Sequence, residues 1–68
     1  MSKINIKVGR KIKEYRRKRG LTQEQLAFEA GLHRAYIGQI ERGEKNIGLQ
    51  NLEKIAMALG IELSELIR

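Results

Sequence analysis

The chain has no cysteine and no proline, a single histidine, and only two tyrosines and one phenylalanine as aromatics. Without cysteine there are no disulfides, no thiolate nucleophile and no cysteine-based zinc site. A lone histidine, His33, cannot assemble a metal site without several well-placed carboxylates, so no metal is expected. No apolar run approaches membrane-spanning length, and the N-terminus lacks the apolar core of a signal peptide. The expectation is a reduced, soluble, cytoplasmic chain with no membrane partner. Enzyme chemistry finds no footing either. No glycine-rich phosphate loop follows a strand, no carboxylate pair sits with a base, and Ser2 and Ser64 have no triad partners. Neither catalysis nor a cofactor is expected, and no segment alternates with the period of two that a strand needs.

What is present is positive charge, and it is local. The formal net charge is +6. Lys3, Lys7, Arg10, Lys11, Lys13, Arg16, Arg17, Lys18 and Arg19 all precede Gly20, against one acid, Glu14. Such a block suits a polyanion, with nucleic acid ahead of an acidic membrane surface. A solvated helix face tuned for solubility would look the same in isolation.

With 68 residues there is room for one domain, 1–68, with no linker and no internal repeat. The spacing predicts an all-α fold of five helices. The first runs from Ile4 or Lys7 to Arg19, with Val8, Ile12 and Tyr15 on one face and Gly20 as its left-handed end. Thr22 and Gln25 form a capping box for the second, and Leu21 and Leu26 a hydrophobic staple. Ala27 and Ala30 are small enough for close approach of a neighbour, and Gly31 supplies the positive φ that ends the helix.

The third helix starts near His33 or Arg34 and ends at Gly43, with Ile37 and Ile40 turned inward. A loop from Gly43 to Gly48 leads to a fourth helix carrying the stripe Leu49, Leu52, Ala56 and Leu59, closed by Gly60. A short fifth helix, about Leu63 to Ile67, supplies Leu63, Leu66 and Ile67.

The second and third helices carry the functional signal. Two short helices joined through a glycine-containing corner, roughly residues 22–42, are a common device for presenting one helix to the DNA major groove. The inward residues of the third helix leave Arg34, Ala35, Gly38 and Gln39 outward, with Tyr36 at the boundary. Arginine can bind a guanine edge bidentately, glutamine an adenine edge, and alanine a thymine methyl. Gln23, Tyr36, Arg42, Lys45 and Asn46 flank that face as candidate phosphate contacts. Tyr36 serves equally well as a partly buried core edge, and His33 as a weak N-cap. Arg16 and Glu41 fall on core-facing sides of their helices, which predicts a structural Arg–carboxylate bridge between the first and third helices.

The runs TQEQLA, AGL, YIGQIERG and LEKIAMALG at these spacings resemble the phage-repressor and Cro type of helix-turn-helix, also called the xenobiotic-response-element family. The resemblance spans about Val8 to Ile67. Within it, RAYIGQIERGEKN on so short a chain is similar to the controller proteins of restriction–modification systems, small homodimers that regulate their own operon and the endonuclease gene. The resemblance implies a groove-facing set of His33, Arg34, Ala35, Tyr36 and Gln39. Gln23 would be anchored to phosphate, Arg42, Lys45 and Asn46 would lie near the backbone, and the Arg16–Glu41 bridge would be retained. The chain departs from the family at His33, where Ser or Thr is the usual cap, and at Gly48, where many relatives carry Ser.

The resulting expectation is a homodimeric transcription regulator on a palindromic operator in double-stranded DNA, with no small-molecule ligand. Phage-type repressor, DNA-binding antitoxin, and a basic RNA- or membrane-binding module are the alternatives. Phe28 and Met57 lie off the core stripes, and Leu66 and Ile67 have little chain after them to cover them. These residues suggest a two-fold interface from the fourth and fifth helices, built on Met57, Ile61, Leu63 and Ile67.

Overall fold

A computed structural model of the protein describes residues 2–68. Helix α1 (Lys3–Lys18) opens at Ser2, whose hydroxyl accepts from the Asn5 amide and satisfies one of the orphan donors of the first turn. Arg16, Arg17 and Lys18 fill its last turn, where positive charge meets the negative end of the helix dipole. Helix α2 (Gln23–Ala30) has the reciprocal capping box: the Gln25 amide donates to Thr22 Oγ1 at 3.0 Å, and the Thr22 amide to Gln25 Oε1 at 2.8 Å. Gly31, at φ +70°, then turns the chain sharply into α3 (Arg34–Glu41). Helices α4 (Leu49–Leu59) and α5 (Ser64–Ile67) complete the set, and no strand occurs among the described residues.

Helix α2 packs on α3 and α4, while α1 packs on α3, α4 and α5. Their shared core is wholly aliphatic, with Ile12, Leu26, Ile37, Ile40, Ile55 and Leu66 fully buried at its centre. Ala27 and Ala30 are also buried, as the close approach of neighbouring helices requires. A close helix crossing also lies at Gly9 of α1. A Cβ on Gly9 would stand 2.1 Å from the Ile40 carbonyl oxygen, so only glycine lets α1 lie directly on the backbone of α3.

Three expectations are corrected. Leu49 does not join the α4 stripe; it is 72% exposed, because it is the first residue of the helix and lies beyond the reach of its neighbours. The inner stripe is instead Leu52, Ile55, Ala56 and Leu59. Leu66 is fully covered, because α5 folds back onto α1, where the Tyr15 hydroxyl donates to Glu65 Oε2 at 2.9 Å. Gly38 is buried rather than outward, roofed by the side chains of Gln23 and Arg42. At Gly48, where a Ser would offer a capping hydroxyl, α4 begins with no side-chain cap.

Candidate nucleic-acid interface

The outer face of α3 is held by a buried polar network. Arg16 donates from Nε to Glu41 Oε2 at 2.7 Å and from Nη2 to Glu41 Oε1 at 3.0 Å, while its Nη1 reaches the Leu21 carbonyl at 2.7 Å. Glu41 Oε1 accepts a further bond from Gln23 Nε2 at 3.1 Å. One carboxylate thus ties α1, the start of α2 and the end of α3 together. Every buried side-chain nitrogen and oxygen among the described residues has a partner.

On this base a shallow groove runs between the start of α2 and α3, lined by Gln23, Arg34, Ala35, Gln39 and Arg42 around Gly38. Arg34 and Ala35 are exposed and Gln39 is half-exposed. Arg34 lies 3.6 Å from the Glu24 carboxylate, but both side chains are mostly in water, where such a pair holds little. Gln23 is less free than the sequence suggests. Its amide nitrogen is engaged by Glu41, and its carbonyl oxygen lies over Gly38.

His33 caps α3 through Nδ1, which accepts from the Ala35 amide at 3.0 Å, so its ring is committed at one nitrogen and exposed at the other. Tyr36 fulfils the core-edge reading in part: its ring packs against the core, and its hydroxyl accepts from Asn51 Nδ2 at 3.1 Å. Nothing in the local sequence pointed to Asn51, because the contact spans fifteen residues and joins α3 to α4.

The loop after α3 carries the remaining flanking candidates. Arg42 makes a two-pronged bond to Glu44, Nε to Oε2 at 3.0 Å and Nη2 to Oε1 at 3.1 Å. The Glu44 hydrogen bond, helped by its charge, raises the Arg42 pKa, and the same bond holds the Glu44 carboxyl below its ordinary range. Lys45 is exposed, and Asn46 accepts from the Asn5 side chain. That contact sets the loop against the first turn of α1. Gly43, at φ +74°, lets the loop close onto Ile6.

On the α4–α5 side, Met57 is 74% exposed and Ile67 44%, while Ile61 and Leu63 are half-buried against the core. Phe28 is 87% exposed on α2, in a hollow with Leu32 and His33. No helix among the described residues is long and apolar enough to cross a membrane.

Known proteins share this fold. The control protein C.BamHI of Bacillus amyloliquefaciens is 46% identical over 65 residues, which is 94% of this chain and 80% of that protein. The crystal structure of the restriction–modification controller protein C.AhdI from Aeromonas hydrophila superposes with a TM-score of 0.90 at 48% identity, covering 91% of this chain and 94% of that one. The biofilm master regulator SinR, solved in complex with DNA, superposes with a TM-score of 0.86 at 34% identity, over 90% of this chain and 98% of that one. The helix-turn-helix model HTH_3 matches residues 12–66, and with relatives this close over nearly its whole length the chain belongs to that helix-turn-helix family.

Proposed function

We propose that the protein is a sequence-specific double-stranded DNA-binding transcription regulator that acts as a homodimer on a palindromic operator, in the role of a restriction–modification controller. One observation carries the reading: the outer face of α3 is rigidly mounted yet unoccupied by the protein's own core. Arg34, Ala35 and Gln39 project from a helix whose opposite face is fixed by Ile37, Ile40 and the Glu41 network. Rigid mounting is what base readout needs, because hydrogen bonds to base edges discriminate only when the side chains arrive in register.

In this reading Arg34, Ala35, Gln39 and Tyr36 contact bases, with His33 at their edge. Gln23, Arg42, Lys45 and Asn46 hold the phosphates, and the basic block of α1 adds long-range attraction. The dimer surface comprises Met57, Ile61, Leu63 and Ile67. Half-sites one helical turn of DNA apart stand about 34 Å from one another, a span that two protomers of 26 × 23 × 21 Å set side by side are long enough to cover. The names of C.BamHI and C.AhdI favour the controller role over an antitoxin.

The test is selection of bound duplexes from a random pool. A two-fold symmetric consensus with half-sites about one turn apart is expected. Retention of single-stranded RNA or anionic vesicles in preference to duplex DNA would defeat the proposal.

A further inference from the structure

The part-buried hydrogen bond between Asn51 and Tyr36 joins α4 to the first turn of α3. A phenolic hydroxyl has one proton to give and can also accept. Left to rotate freely, it satisfies a base edge of either polarity and therefore distinguishes little. Here its accepting side is taken by Asn51 Nδ2 at 3.1 Å. The proton is then directed away from Asn51, and no acceptor among the described residues takes it. The ring is half-buried against the core, which restricts its swing. Tyr36 stands in the first turn of α3, beside Arg34 and Ala35, where a recognition helix has its base-reading residues.

We propose that Asn51 is a positioning residue that turns the Tyr36 hydroxyl into a donor-only reader of one base pair. This rests on the DNA-binding reading above. A hydroxyl of fixed polarity selects an acceptor, guanine O6 or N7, thymine O4 or adenine N7, and rejects the amino groups of adenine N6 and cytosine N4, so cytosine is the base it excludes outright. Specificity at that base pair therefore originates in α4, in a side chain that does not touch the DNA itself.

The polarity can be reversed. In Asn51→Asp the carboxylate takes the hydroxyl proton and leaves an acceptor facing outward. An acid in the first turn of α4 also suits the positive end of the helix dipole, so the fold is retained. Duplex selection is run with the wild type, Tyr36→Phe, Asn51→Ala, Asn51→Asp and, as a control on another base pair, Arg34→Ala. Each variant is also melted by circular dichroism. Tyr36→Phe and Asn51→Ala are expected to flatten the same single position, losing roughly two- to tenfold in discrimination. Asn51→Asp is expected to move that position's preference towards adenine or cytosine, against a general loss of affinity from its charge. Wild-type base profiles in both Asn51 variants would overturn the proposal. So would a Tyr36→Phe effect spread equally over all duplexes, which marks a phosphate contact. A wild type that selects no consensus, with Arg34→Ala equally blind, would instead defeat the DNA-binding reading beneath it.

Discussion

Arg16 and Glu41 form a two-pronged ion pair at 2.7 and 3.0 Å with both residues only 9% exposed, and the same carboxylate also holds Gln23. Removing one member strands a charge in the interior, at a cost of roughly 3–5 kcal/mol. Glu41→Ala should therefore lower the melting temperature by well over ~10 °C, at about 4–8 °C per kcal/mol for a domain this size. Replacing both, as Arg16→Met with Glu41→Leu, should restore most of that loss while releasing Gln23. A Glu41→Ala protein that melts like the wild type would show that the pair contributes nothing to stability.

Gly9→Ala sets helix propensity against packing. In an open helix the change gains about 0.5–1 kcal/mol. Here the new methyl meets the backbone carbonyl of Ile40 at 2.1 Å and that of Glu41 at 3.0 Å, neither of which can rotate aside. Overpacking of this kind costs roughly 1–3 kcal/mol or more, so the sign should be destabilising. Chemical denaturation decides it, and a stabilised variant would mean that α1 does not rest on α3 as described.

In the proposed reading Glu44, which holds Arg42 through two hydrogen bonds, competes with phosphate for it. Glu44→Gln should tighten binding to all duplexes about equally and steepen the salt dependence by roughly one released counterion. Acid should act in the same direction. The folded carboxyl is depressed by Arg42, so the pair persists as pH falls below the ordinary carboxylate range and is lost only as pH passes the lowered value. Titration of duplex affinity against salt checks this, and weaker binding by Glu44→Gln would assign Glu44 a supporting role instead.

Charging the α4–α5 surface should separate assembly from folding. Met57 and Ile67 are exposed on the protomer, so Met57→Glu with Ile67→Glu should leave its helical fold intact and lower the melting temperature only by what dimer association contributes. Sedimentation should then give monomers, with operator affinity reduced by several powers of ten. A dimer that survives the double change would place the two-fold contact elsewhere, with exposed Phe28 the next surface to charge.

What the sequence disclosed and what it withheld divides by range. The Thr22–Gln25 box, the turn at Gly31 and the outward position of Arg34 and Ala35 follow from residues within one or two helical turns, and local spacing was enough to find them. The Arg16–Glu41 bridge was legible across twenty-five residues because both charges interrupt apolar faces. Leu49 was misplaced because periodicity continues past the end of the packing that gives it meaning. Gly9, Asn51 and the burial of Gly38 were illegible. Each depends on what another helix places opposite it, and no local pattern encodes that.

The scarcity of aromatic rings has a practical consequence. With no tryptophan and two tyrosines, the near-ultraviolet signal of the protein is dominated by Tyr15 and Tyr36. Each hydroxyl fastens a different seam, Tyr15 joining α1 to α5 through Glu65 and Tyr36 joining α3 to α4 through Asn51. Single Tyr→Phe variants therefore provide two spectroscopic reporters that need no added label. One follows the detachment of α5, the other the loosening of α3 from α4.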